Sequence, residues 1–207
     1  MHRSAAMGAT EGNRDRSLPA SEGHGPLLQR DYWGVVADCS LGPQEVARWV
    51  AESFCRIAPP RLVRFRRMEP EPGGLRPGET LEVEIPSAGT FRVHVAHRDA
   101  NSLTLSTVRG HPEAGRITFG AYRNADGEVV FHIRSRARSS STSRYAAFLV
   151  AGEPMQTNTW ADFIKRVAAS VGSGVAGAVH AVTREVEPTA EDGAGGLQRP
   201  TFTAEGR

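Results

Sequence analysis

The chain is poor in thiols, in lysine, in aromatic rings and in long apolar runs, and each shortage closes off a class of protein. Two cysteines, Cys39 and Cys55, among 207 residues are too few for a disulfide scaffold or a four-thiolate zinc site. No apolar stretch comes near the ~20 residues that a membrane-spanning helix needs. An excess of one charge is missing too. The 25 Lys and Arg against 23 Asp and Glu leave a formal charge of +2, so bulk charge does not mark a nucleic-acid binder. Lysine is reduced to Lys165, with arginine supplying every other basic residue. That bias, with abundant Ala and Gly, matches GC-rich bacterial coding sequence. The length suits one domain with tails and is too short for two full α/β domains. A hydrophobic content of 39% is enough for a globular core.

Residues 1–29 show no apolar periodicity and read as a disordered arm. They also lack the apolar core of a signal peptide, so a cytoplasmic chain is expected. From about Arg184 the sequence again reads as a tail, 184–207, which leaves 30–183 as the folded domain. Trimming both ends is accordingly expected to leave the melting temperature unchanged. Within the domain, residues 31–39 suit a first strand. Pro43 suits the first turn of a helix, and Val46, Trp49, Val50, Phe54 and Ile57 form one helical stripe up to Pro59-Pro60. The period then changes to two: Leu81, Val83, Ile85; Phe91, Val93, Val95; Leu103, Leu105; Ile117, Phe119, Ala121; Val129, Phe131, Ile133. Short connections make these strands antiparallel neighbours, and Arg61–Met68 offers one more. A helical stripe returns at Trp160, Phe163, Ile164, Val167 and Val171, with Thr159 as its cap and Asp162 in its first turn. Val175 and Val179 extend the spacing of four. The order predicts an α+β fold, a curved antiparallel sheet packed on a long C-terminal helix. This is a helix grip with a cavity between sheet and helix.

Gly172-Ser173-Gly174-Val175-Ala176-Gly177 spells a dinucleotide fingerprint, but no βαβ unit follows it. His94 and His132 share a strand parity with arginines and read as solvent-facing, with no acidic spacing for a metal. The arginines at 61, 64, 66 and 67, and at 134, 136, 138 and 144, read as solvated faces, because aromatics are not interleaved with them. Cys39 and Cys55 read as small apolar residues, and no hydrolase elbow is present.

Residues 103–135 resemble the family called domain of unknown function 1990. The resemblance lies in Gly110, His111, Pro112, Glu113 and Gly115 of one turn, then Phe119, Gly127, Val129 and Phe131 on the strands that follow. The helix from Gln156 corresponds to that family's closing helix. Departures are Leu105-Ser106-Thr107-Val108, where the family has Tyr-Gly-Thr-Leu, and Arg116-Ile117 in place of a Glu-Glu pair. The resemblance implies a divergent member and a START-like fold, and attaches no general activity.

His111 and Glu113 are the leading candidates for chemistry. An imidazole moves protons near neutral pH, a neighbouring carboxylate orients it, and Tyr122 is a secondary donor. Arg109 and Arg116 could hold an anionic or enolate oxygen. The same residues equally suit a turn kept for its shape. Trp160, Phe163, Val167, Leu105, Phe119 and Phe131 are the candidate substrate-binding wall. The expected function is a cofactor-independent cyclase, dehydratase or isomerase of bacterial secondary metabolism, acting on an apolar polyketide-like substrate. The alternative is a carrier or sensor of a hydrophobic ligand. The expected partner is that small molecule, with no nucleic acid, no metal and no membrane span, and with a homodimer allowed for.

Overall fold

The computed structural model describes residues 16–69, 71–86 and 88–202; the side chains of residues 142–155 are not among what it describes. The element order is β1 (His24–Val36), α1 (Pro43–Ile57), β2 (Arg64–Arg67), β3 (Thr80–Ile85), β4 (Gly89–Arg98), β5 (Ser102–Thr107), β6 (Glu113–Arg123), β7 (Val129–Ser139), α2 (Thr142–Val171) and β8 (Val175–Glu185). The strands form one sheet of eight in the order β2-β3-β4-β5-β6-β7-β1-β8. Every neighbouring pair is antiparallel, as the short connections require. The sheet is curved and both helices lie against its concave face, in an α+β fold.

Period two sorts the sheet's faces. Leu105, Ile117, Phe119, Phe131 and Ile133 look to the concave side, where α1 and α2 cover them. Pro43 opens α1, and the Glu45 carboxylate accepts a hydrogen bond from the Gly42 N–H at 2.8 Å, holding one of the helix's orphan amides. The buried stripe of α1 ends in Phe54. Its ring meets Phe65 and Phe119 edge-on at 5.0 and 4.9 Å, and Phe163 of α2 at 5.4 Å. Offset and edge-on rings of this kind add to what area burial supplies.

Several expectations change at the chain's two ends. The closing helix begins at Thr142, so Thr159 is a buried residue inside it and not its cap. It also stops at Val171. Gly172 turns beneath the Ala37 carbonyl, where a Cβ would stand 2.3 Å from that oxygen, and Gly174 takes φ +110°. The chain then reverses into β8, which pairs with β1 from Val175↔Val36 to Leu28↔Glu185. A spacing of four keeps one face of a helix and equally one face of a strand, so Val175 and Val179 fit both. The fingerprint-like glycines are this helix-to-strand turn.

β1 begins at His24, inside the stretch expected as an arm, and Leu18, Ala20 and Leu27 are buried. The chain after Arg184, expected as a tail, crosses the convex face. Two short 3-10 turns, Ala190–Asp192 and Ala194–Gly196, bring Asp192 onto Arg136 at 2.8 and 2.9 Å. The Thr201 N–H donates to Thr118 Oγ1 at 2.9 Å, and Phe202 stacks on His132 at 4.6 Å.

His132 is therefore buried, not solvent-facing. Its Nε2 lies 2.7 Å from Asp31 Oδ1, and Arg134 donates to the same carboxylate. Arg134 and Arg136 are likewise covered, while Arg64, Arg66 and Arg67 pair across strands with Glu84, Glu82 and Glu79. Burial alone would raise the Asp31 pKa, but hydrogen bonds from His132, Arg134 and Gln29 outweigh it and hold the carboxyl at about 2, against an ordinary 3.8. A depressed folded-state pKa stabilises above the unfolded pKa and loses that contribution as pH falls toward the folded one. Asp31 should thus contribute roughly 2 kcal/mol at neutral pH, lost between pH 4 and pH 2. Urea titrations at pH 6 and pH 2.5 check this: wild type should lose most of that amount relative to Asp31→Asn.

Candidate functional site

Between the β3–β7 part of the concave face and α2, the side chains leave a cavity of about 120 Å³, measured as space for the centres of water molecules. Leu62, Val63, Phe65, Val83, Ile85, Val93, Leu105, Ile117 and Ala137 give it an apolar floor and wall, and Gln156, Thr159 and Trp160 close it from the helix. The cavity is displaced from the centre of the core. Phe119, Phe131, Phe163 and Val167 fill the neighbouring space completely, with Phe119 and Phe163 centroids 5.3 Å apart. Of the six residues expected to form the substrate wall, Leu105 and Trp160 border the cavity and the other four are packed core.

Among the polar residues that line the cavity are His111, Glu113, Thr107 and Ser135. The turn Val108–Pro112 delivers His111, with Gly110 at φ +96°, a backbone conformation that favours glycine. The Glu113 N–H donates to His111 Nδ1 at 3.1 Å. The Glu113 carbonyl oxygen lies at the same 3.1 Å from Nδ1, so the ring keeps a bond to the Glu113 backbone in either tautomer. Glu113 thus orients His111 through its backbone. Its carboxylate turns the other way and receives Arg30 Nη1 at 3.1 Å, with the Arg30 side chain only 2% exposed. Thr107 Oγ1 is occupied by the Leu18 and Gly115 carbonyls and the Gly115 amide. Ser135 is buried, and its Oγ has no hydrogen-bond partner among the described residues.

Three expected site residues stand elsewhere. Tyr122 has the opposite parity and lies on the convex face, its hydroxyl 3.5 Å from His132 Nδ1. Arg109 is outside the cavity and pairs with Glu22 at 3.0 Å. Arg116 lends the wall its backbone, but its guanidinium is on the convex side, donating to the Arg199 carbonyl at 3.2 Å. A strand's alternation sends residues 116 and 122 away from 117 and 119. Arg30 and Ser135 were missed. Extending the parity of Tyr32 and Val36 back through β1 would have put Arg30 on the concave face. Ser135 follows Phe131 and Ile133 on the inward parity. Among the described residues no group of three His, Cys, Asp or Glu could hold a metal ion, and no helix is long and apolar enough to cross a membrane.

No family model matches the chain, and no curated protein matches it. Solved structures do. Norcoclaurine synthase from Thalictrum flavum, in complex with dopamine and hydroxybenzaldehyde, is 10% identical with a TM-score of 0.50, over 70% of this chain and 87% of that one. A truncated form of that enzyme is 13% identical at the same TM-score of 0.50, over 72% of this chain and 96% of its own. The fold is a helix grip. The di-domain ARO/CYC protein StfQ of the steffimycin biosynthetic pathway matches more loosely, at 13% identity and a TM-score of 0.47, over 79% of this chain and 53% of that one. At such identities the likeness is one of fold. The cavity lies under the closing helix α2.

Proposed function

We propose that this helix-grip protein takes up an apolar, polyketide-like small molecule in the cavity under α2 and acts on it without a cofactor, as a cyclase, dehydratase or isomerase of bacterial secondary metabolism. The observation that carries the reading is an apolar cavity ending on His111 and Glu113, with a buried arginine behind the carboxylate. Such a site supplies two things, a shape that folds the substrate and one group for proton traffic. With Nδ1 engaged by the Glu113 backbone, the proton traffic of His111 falls to Nε2, which as imidazolium can donate to a carbonyl oxygen as it becomes an enol and as free base can take a proton from carbon. Cytoplasmic residence and divergent membership of the domain of unknown function 1990 belong to the same proposal. The family assignment is carried by the turn from Gly110 to Gly115 and by Phe119, Gly127, Val129 and Phe131.

The alternative is a non-catalytic carrier or sensor. It is favoured by one specific observation: the Glu113 carboxylate is already paired with Arg30 and Tyr122 is on the other face, which leaves little proton machinery beyond one imidazole. Turnover separates the two readings. Linear poly-β-ketone thioesters incubated with the purified chain should give cyclised or dehydrated products resolved by liquid chromatography and mass spectrometry. His111→Ala should lower that rate by at least ~10²-fold with circular dichroism unchanged. His111→Gln, which keeps a donor, should recover part of it. Binding without any turnover by the wild type would establish the carrier.

A further inference from the structure

We propose that Ser135 is the specificity-determining residue of this cavity, and that it selects apolar ligands bearing one uncharged oxygen, a carbonyl or a hydroxyl. The inference rests on the reading above that the cavity takes an apolar small molecule. Ser135 lies on β7 opposite Ile117 of β6 on one side and Arg30 of β1 on the other. It is 5% exposed and borders the cavity. Its hydroxyl makes no hydrogen bond among the described residues. A buried hydroxyl without a partner has given up water for nothing, and a strand position flanked by Ile133 and Ala137 on the same face could as well hold alanine. The Thr107 hydroxyl, which also lines the cavity, is the contrast: it spends its bonds on Leu18 and Gly115. Ser135 therefore matches a bond that a ligand completes.

The charge carried by Arg30, the cross-strand neighbour of Ser135, chooses the kind of oxygen. Arg30 and Glu113 neutralise one another across 3.1 Å, so the cavity offers no net positive charge to a carboxylate or phosphate. An anion there would compete with Glu113 for Arg30 while facing the Glu113 carboxylate. A neutral oxygen meets no such opposition, and a serine hydroxyl can donate to a carbonyl or accept from a hydroxyl.

Four probes with one ring system test this: naphthalene, 2-naphthol, 2-naphthaldehyde and 2-naphthoate, titrated calorimetrically into the full chain and into Ser135→Ala. In the wild type, 2-naphthol or 2-naphthaldehyde should bind about tenfold more tightly than naphthalene, and 2-naphthoate no better than naphthalene. Whichever of the two leads tells hydroxyl from carbonyl. In Ser135→Ala the tenfold preference should vanish while naphthalene binds as before, and the melting temperature should not fall, since no structural bond is lost. An unchanged preference in Ser135→Ala, or tightest binding by 2-naphthoate, overturns the assignment. So does a lower melting temperature of the variant, which would give the hydroxyl a structural role. Failure of all four probes to bind removes the cavity reading itself and this inference with it, whereas naphthalene binding without oxygen preference removes the inference alone.

Discussion

Arg30→Met should lower the melting temperature by roughly 10 °C, and adding Glu113→Leu should restore most of it. The Arg30 guanidinium is buried and its described ion-pair partner is the Glu113 carboxylate, itself 18% exposed at the cavity end. Removing one member of a buried pair leaves the other charged and uncompensated, at a cost of about 3–5 kcal/mol. Replacing both with apolar groups of similar size removes the penalty along with the attraction. For a chain of this length, 1 kcal/mol moves the midpoint by roughly 2–4 °C. Differential scanning calorimetry of the three proteins decides the matter. A single variant that melts with the wild type would show that solvent already screens the pair. The same variant should leave the cavity end negatively charged, so a drop in affinity for apolar ligands is expected to accompany the drop in stability.

Ending the chain at Glu185 should also be costly, by about 2–4 kcal/mol, or roughly 5–15 °C. The strand β8 would be kept, and only the segment that crosses the convex face would go. That segment buries Leu197 and Phe202, each worth about 1.5–3 kcal/mol when fully covered, and supplies the carboxylate that meets Arg136. Freeing the segment regains chain entropy, which offsets part of this gain. Thermal melts of the full and shortened chains should show the loss, and Phe202→Ala alone should show part of it. Equal midpoints would return the segment to the status of an ornament, as its composition suggests.

That composition explains where the sequence was legible. The strands β3 to β7 and the helix α1 announce themselves because their apolar residues alternate or repeat among polar ones. Leu81-Val83-Ile85 keeps the step of two, and Val46-Trp49-Val50 mixes steps of three and four, which one strand face cannot hold. Hydrophobic cover on one face plus short turns then dictates an antiparallel sheet gripped by a helix. Legibility stopped where the chain covers the other face. Asp31, His132, Arg134 and Arg136 look like solvent-facing residues on a polar parity. Asp31 and His132 are buried and the two arginines half-buried, under a glycine-rich segment without periodicity of its own that is held there by its backbone and by Asp192, Thr201 and Phe202. The candidate site was half legible for a related reason. His111, Glu113, Leu105 and Trp160 were placed at the cavity by local pattern. Arg30 is brought there by pairing of β1 with β7, a contact between residues far apart in sequence that local periodicity does not encode.

That pairing also orders events in folding. β1 is synthesised first, yet both of its neighbours come late: Asp31 stands beside Arg134 on one flank and Val182 on the other. The meander from β2 to β7 can form from contacts between adjacent segments, which close cheaply and early. β1 must wait for β7 to emerge before its carbonyls and amides find partners, and for β8 before it ceases to be an edge. Until then Tyr32 and Leu27, both buried in the finished molecule, remain on a strand open to any passing chain. The last strand of the sheet to be made is thus the one that withdraws the first from competition.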